Sequence, residues 1–196
     1  MHWVRSKIKT TILETNMSNG LKVKKRNGSI ESLDLEKMHV MVEQACNGLA
    51  GVSASQVEIQ SGIQFYDGIT TAEIQEILIR SASDLISLDN PNYQYVAARL
   101  LLFSIRKSLY GMIEDIPDLW DHINDCVGKF IYDEGVLQKY TREEIDKCGG
   151  YIDHDRDFLF TYAGLRQVAD KYLVQDRSTG KVYETPQHMY MLIAMT

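Results

Sequence analysis

The stretch VKKRNGSIESLDLEK, residues 23–37, decides the fold. Two short strand-like runs, residues 22–25 and 29–33, flank Arg26-Asn27-Gly28. Asn-Gly is the dipeptide that accepts positive φ most cheaply, so the stretch predicts a β-hairpin. Asp34 stands where a helix N-cap belongs, ahead of the apolar line Leu35, Met38, Val42, Ala45 and Leu49, spaced by threes and fours. Lys22, Lys24, Lys25 and Arg26 place four cations within five residues of an otherwise acidic chain. A basic hairpin running into a helix start is a grip for an anionic ligand. A solvated hairpin whose charged edges blunt pairing with other chains fits the same residues.

Working outward, residues 1–20 show no clean period and read as a tail, with Met17 a candidate original start. The first helix is expected to end near Asn47-Gly48, where Gly suits a C-cap. A second helical segment covers residues 52–64, opened by Ser53 or Ser55, and Phe65-Tyr66-Asp67-Gly68 makes a turn. Thr70 lies three residues before Glu73, the capping-box spacing, with Ile74, Ile77, Leu78 and Leu85 on one face. Thr71 then falls in the first helical turn, where backbone N–H groups lack helical partners and anions are welcome. An ordinary capped helix, however, needs no ligand. Asn90-Pro91 opens a fourth helix reaching Tyr110-Gly111, with Val96, Leu100 and Phe103 on one line that Lys107 closes. A lysine there either answers the helix dipole with its stem packed down, or delivers a charge to a ligand beside the helix.

A domain boundary is expected near residues 111–117. Beyond it, helical stretches are predicted around 119–130, 141–148 and 157–174, the second opened by a capping box from Thr141 to Glu144. Ser178-Thr179-Gly180-Lys181 turns the chain, and a further helix runs from Pro186 to Met195. No stop signal precedes Thr196, which reads as a truncation. The acidic run Asp153-His154-Asp155-Arg156-Asp157 offers four potential metal ligands, but contiguous ligands cannot all face one ion and the EF-hand spacing is missing. It reads better as a helix N-terminus, where carboxylates suit the dipole.

At 196 residues, 44% hydrophobic and 24% charged, the chain has the composition of one or two globular domains. A net charge of −6 argues against nucleic-acid binding, which calls for a basic footprint. No apolar run is long enough to span a bilayer, and the first sixteen residues lack an apolar signal-peptide core. Cys46, Cys126 and Cys148 form no CxxC and suit a reducing cytoplasmic setting. There is no GxxxxGK[ST] loop and no GxGxxG, which excludes the P-loop and dinucleotide-fold readings.

The hairpin and helix start resemble the opening of an ATP-cone, the nucleotide-sensing module of many ribonucleotide reductase large subunits. The blocks IQFYDGITTAEIQEILIRSASDLIS, DNPNYQYVAARLLLFSIRK, YIDHDRDFLFTYAGLRQVADKYLVQ and TGKVYET resemble class I reductase large chains, in the family's order and spacing. The resemblance covers the chain from about Met17 onward. It implies a mainly α fold with a small β element: a four-helix bundle capped by a small β-sheet over residues 21–111. Residues 112–196 would then be the start of the helical N-terminal region of the reductase, ahead of the catalytic barrel.

The resemblance also implies an effector site for ATP or dATP, with no metal beyond the Mg that accompanies the nucleotide. Lys25 and Arg26 match the family's basic pair. Glu31, Ser32, Leu33, Asp34, Leu35, Glu36 and Lys37 match the strand and helix start around the nucleotide, with Lys37 a second phosphate candidate. Thr71, Ile74 and Gln75 match positions at the start of the third helix, and Lys107 a lysine of the fourth. Glu73 stands where the family usually has Asp, while Gln75 and Ser104 replace histidines that well-known bacterial members hold close to the effector. The implied partners are the remainder of the large (alpha) subunit, a radical-supplying small (beta) subunit and further copies of the full alpha chain, with neither nucleic acid nor membrane. The family's catalytic cysteines lie downstream of Thr196 and none of the three present matches them, so the 196 residues are expected to bind nucleotide and reduce nothing. The alternative is a stand-alone nucleotide-sensing module; the repressor of reductase genes that carries a cone places a Cys-rich zinc ribbon first, and no CxxC precedes Val23.

Overall fold

The computed structural model describes residues 20–196; the expected tail, apart from Gly20, and the Met17 start lie outside the described residues. The hairpin forms where the sequence places it. Strands β1 (Lys22–Lys24) and β2 (Ile30–Ser32) pair antiparallel, Val23 facing Glu31. The turn consists of the three residues Arg26-Asn27-Gly28 that the sequence places between the two runs. Lys25 N–H donates to Ser29 O at 2.8 Å and Gly28 N–H to Lys25 O at 2.9 Å, closing a three-residue loop. Only Gly28 takes positive φ, at 86°, so the glycine alone is required by the backbone. Asn27 contributes through its side chain instead, accepting from Ser29 N–H at 3.0 Å.

Sequence periodicity did not reveal a third strand. β3 (Ile69–Thr70) pairs parallel with β1, giving the order β2-β1-β3 with β1 central. Two bonds hold the turn before β3 against the start of β1: Lys22 N–H donates to Asp67 Oδ1 at 2.7 Å, and Gly68 N–H to Lys22 O at 2.8 Å.

Four helices follow the hairpin: α1 (Leu35–Cys46), α2 (Ala54–Gly62), α3 (Thr71–Asp84) and α4 (Tyr93–Tyr110). Asp34 caps α1 by accepting from Lys37 N–H at 3.0 Å, and Val42 and Ala45 of the predicted apolar line are fully buried. At the far end, Arg99 Nη1 donates to Ala45 O at 3.1 Å and Asn47 O at 2.7 Å, satisfying carbonyls that the last turn leaves open. Ser53 precedes α2 without a side-chain cap; its N–H donates to the Tyr93 hydroxyl at 3.0 Å instead. Packing divides the chain into two compact units between Leu100 and Leu101, inside α4. The expected boundary at 111–117 follows the end of that same helix. The first unit's core joins sheet and helices through Val23, Val42, Val57, Ile69 and Leu78.

The second unit continues with α5 (Leu119–Gly128), α6 (Gly135–Lys139) and α7 (Arg142–Gly149), around a core of Leu119, Ile123, Ile145 and Met195. The helix expected over 157–174 is broken. A 3-10 segment, His154–Leu159, ends at extended Phe160, and Thr161 starts α8 (Tyr162–Lys171) by accepting from Gly164 N–H at 3.2 Å. Asp153 likewise caps the 3-10 segment through Asp155 N–H at 3.0 Å. Strands β4 (Gln175–Asp176) and β5 (Lys181–Val182) form a small hairpin, and α9 (Pro186–Met195) follows. No helix of the described residues is long and apolar enough to cross a membrane.

Candidate functional site

The sheet register builds the site. Because β1 and β3 are parallel, with Lys24 opposite Thr70, the residues leaving the end of β1 emerge beside the start of α3. Lys25 and Arg26 therefore stand next to that helix N-terminus. Arg26 Nη2 donates to Gln75 Oε1 at 3.5 Å, one turn into the helix. Gln75 is 7% exposed, a buried carboxamide on a face otherwise made by Ile74 and Leu78. A carboxamide holds the guanidinium without cancelling its charge, and Arg26 itself is exposed.

The start of α3 is tightly organised. Thr70 Oγ1 accepts from Glu73 N–H at 3.2 Å, and Glu73 Oε2 accepts from Thr70 N–H at 2.9 Å, closing the predicted capping box. The Tyr66 hydroxyl adds a bond to Glu73 Oε1 at 2.9 Å. The Thr70 hydroxyl and N–H, then the Tyr66 hydroxyl, hold the Glu73 carboxyl below its ordinary range. Thr71, the first helical residue, is half-buried.

β2 runs the other way, so Glu31, Ser32 and Leu33 carry the chain from the tip of the hairpin to its base. There Leu33 N–H donates to Leu21 O at 2.9 Å and α1 begins. Leu33 and Leu35 are half-buried; Asp34, Glu36 and Lys37 are exposed. The structure thus sorts the expected first-unit residues into two groups. Lys25 and Arg26 join Thr71, Ile74 and Gln75 at the tip, while Asp34–Lys37 gather at the base. Each lysine already meets a carboxylate: Lys25 Nζ lies 3.1 Å from Glu31 and Lys37 Nζ 3.3 Å from Asp34. The backbone N–H and side chain of Lys37 hold the Asp34 carboxyl below its ordinary range. Lys107 lies exposed in the last turn of α4, in the second unit.

Sequence reasoning missed Asp67 and Tyr66, which fix β1 and Glu73 in place. Neither belongs to a periodic pattern; the sequence places both in a turn, but nothing in it shows what their side chains hold. The acidic run of the second unit is occupied by structural bonds: Asp153 is a cap, and Asp157 accepts from Gln187 Nε2 at 2.9 Å and faces Arg106 at 3.5 Å.

Residues 21–108 match the ATP cone domain, and residues 158–196 match the all-alpha domain of ribonucleotide reductase. Over 178 residues, 91% of the chain, it is 49% identical to the ribonucleoside-diphosphate reductase subunit alpha of Haemophilus influenzae. It is also 49% identical to the ribonucleoside-diphosphate reductase 1 subunit alpha of Escherichia coli, over the same length. The subunit alpha of enterobacteria phage T4 is 42% identical over 177 residues. The chain spans 23% of the length of each of these relatives. The chain thus carries an ATP cone and sequence of the reductase all-alpha domain, and over 91% of its length it is similar to the N-terminal region of ribonucleoside-diphosphate reductase alpha subunits.

Proposed function

We propose that residues 21–111 bind ATP or dATP as an allosteric effector, and that the protein to which they belong reduces ribonucleotides to deoxyribonucleotides. The observation that carries this reading is the pairing of two hairpin cations, Lys25 and Arg26, with the start of α3, where Arg26 meets Gln75. Two positive side chains beside a helix N-terminus form a phosphate-binding arrangement. The base of the hairpin, with Asp34 to Lys37, is then the place of the ribose and base. The two groups are separated by the length of β1, on the order of 10 Å at about 3.3 Å per residue. A nucleoside triphosphate covers that span and inorganic phosphate does not.

Freeing Lys25 for a phosphate means parting it from Glu31, a pair whose side chains are 36% and 54% exposed. Such surface pairs are worth about 0–1 kcal/mol, whereas a hydrogen bond to a charged group contributes about 1.5–3 kcal/mol. The exchange therefore favours the phosphate. Glu31, once released, suits the Mg²⁺ that accompanies a triphosphate, since that ion takes one or two carboxylates beside phosphate oxygens. Burial pushes the Cys46 and Cys126 thiols up to about 11, which keeps both protonated and argues against either as a reacting thiolate.

Calorimetry on the full chain tests the reading, with ATP, dATP and pyrophosphate as titrants. Both nucleotides should bind more tightly than pyrophosphate. Lys25→Ala and Arg26→Ala should each weaken nucleotide binding by roughly 10- to 150-fold, the worth of a charged hydrogen bond. The family resemblance adds Lys107, and Lys107→Ala in the same titration decides whether it shares in binding. No binding by the unaltered chain, or affinities unchanged in both hairpin variants, overturns the proposal.

A further inference from the structure

The interior of the second unit holds a polar chain that nucleotide binding does not use. His122 and His188 are 3% and 0% exposed, and their rings stack at 4.1 Å, 16° from parallel. The His154 ring meets His188 edge-on at 5.0 Å. The Tyr110 hydroxyl lies 3.4 Å from His122 Nδ1 and 3.3 Å from His188 Nδ1. On the other side, His122 Nε2 lies 2.9 Å from the Tyr132 hydroxyl, which donates to Glu184 Oε2 at 2.5 Å.

Proton counting fixes the direction of this chain. The Tyr132 proton goes to the carboxylate, so His122 Nε2–H must donate to the Tyr132 oxygen. His122 Nδ1 is then an acceptor and takes the Tyr110 proton. The Tyr110 oxygen in turn accepts from His188 Nδ1–H. That leaves His188 Nε2 as a bare acceptor, and it is buried without a hydrogen-bond partner, as is His154 Nδ1. His122 and His188 are neutral in this arrangement, and His188 keeps a basic nitrogen with no donor facing it, while His154 Nδ1 is a second buried ring nitrogen without a partner.

We propose that this cluster is a proton-responsive element: uptake of protons by His122, His154 and His188 opens the second unit in mild acid while the first unit stays folded. Few charges around the cluster could neutralise an imidazolium. Glu184 is reached only through Tyr132. Asp157 is taken by Arg106 and Gln187, and Arg106, whose Nη2 donates to His154 O at 2.7 Å, is itself a cation. Asp125 is paired with Lys129 at 2.5 Å, and exposed Asp153 and Asp155 flank His154 outside the interior. Cys126 Sγ, 3.9 Å from His122 Nε2, stays a neutral thiol.

Burial pulls the His122 and His154 imidazoles down to about 4 and His188 to about 2, the neighbouring rings adding to the effect on His188. In the unfolded chain all three titrate near their ordinary value of about 6.5. Their contribution to stability is therefore complete above about pH 6.5 and is lost as pH falls toward about 4. Each proton that only the unfolded state binds multiplies the unfolding constant about tenfold per pH unit, so three give up to about a thousandfold. Glu184 and Asp157, both raised by burial, act with the opposite sign and lessen this slope. In the first unit His39 is raised, chiefly by its hydrogen bond to Glu58, so acid favours that contact.

The test uses the full chain in a Trp3→Phe background, so that Trp120, packed beside the second unit's core, is the sole indole reporter. Urea unfolding is followed by its emission from about pH 7.5 down to about pH 5, where linkage is steepest. The unfolding constant should rise with acid, and His188→Phe, which keeps a stacked ring, should lower that slope by about tenfold per pH unit because one proton is removed. Identical slopes in the two proteins overturn the proposal. Histidine ring NMR of the unaltered chain gives an independent decision should His188→Phe not fold. Three second-unit rings silent until the unit opens, with His39 titrating above its ordinary value, support the switch; three rings titrating normally in the folded chain sink it.

Discussion

Replacing Asp157 by Leu should destabilise the second unit by about 3 kcal/mol, while replacing Arg106 by Met at the same time should restore most of that loss. Asp157 is 1% and Arg106 4% exposed, so removal of either partner strands the other inside. Breaking a buried pair from one side costs about 3–5 kcal/mol. The lower end applies here for two reasons. The Nη2–Oδ2 distance of 3.5 Å is long for a charge-assisted bond, and Arg106 keeps the His154 carbonyl at 2.7 Å. Burial raises the Asp157 carboxyl and lowers the Arg106 guanidinium, each toward loss of charge, so dehydration outweighs attraction for both partners. Two apolar side chains of similar volume should accordingly lie within about 1 kcal/mol of the original pair, or be more stable. A double-mutant cycle by urea unfolding, read through Trp120, should give a coupling energy of about 5 kcal/mol, the two single losses of about 3 kcal/mol each less about 1 kcal/mol for the double variant. Single-mutant losses below about 1 kcal/mol that add within about 0.5 kcal/mol would refute the claim that the two charges depend on each other.

Two further outcomes follow from the first unit. Ile69→Ala empties a fully buried position on β3 and should cost about 2–5 kcal/mol in urea unfolding, loosening nucleotide binding with it. Glu58→Gln should lower the His39 titration toward its ordinary value, because Glu58 Oε1, 2.7 Å from His39 Nδ1, is the main cause of its raised value, while Glu43, 3.3 Å from Nε2, keeps part of the shift. Since a raised histidine stabilises the fold below its unfolded value and loses that contribution as pH rises through the folded value, the variant should also flatten first-unit stability above about pH 6.5.

What the sequence revealed was local. Asp34, Thr70 and Thr141 each reach a backbone N–H three residues on, so their spacing alone locates the starts of α1, α3 and α7. The hairpin likewise closes within a few residues. β3 escaped because two residues carry no alternation, and its partner β1 lies more than forty residues earlier. The break at Phe160 escaped because the acidic run 153–157 and the apolar pattern after it read as one helix, although two caps, Asp153 and Thr161, were present. The meeting of Arg26 with Gln75, 49 residues apart, was reachable only through family resemblance. The imidazole cluster was not reachable at all. Its members come from α4, α5, the 3-10 segment and α9, and an isolated histidine has no period to mark it.

The candidate nucleotide site depends on residues that would never touch the nucleotide. A strand alternates its side chains, so slipping β1 by one residue against β3 would send Lys25 to the opposite face and carry Arg26 past Gln75. Three interactions oppose that slip: Lys22 N–H on Asp67, Gly68 N–H on the Lys22 carbonyl, and the burial of Val23 and Ile69, which face each other in the ladder. The capping box then ties Thr70, the last residue of β3, to Glu73 in α3, so the helix start follows the sheet register rigidly. Lys25 and Arg26 lie at the turn with Glu31 and Gln75 as partners, and their backbone is aimed by this pinned ladder. That division suits an effector site. The groups that exchange carboxylate for phosphate are near the surface, where exchange is cheap, while the elements that must sense it, α3 and the strand ahead of it, are joined to the core.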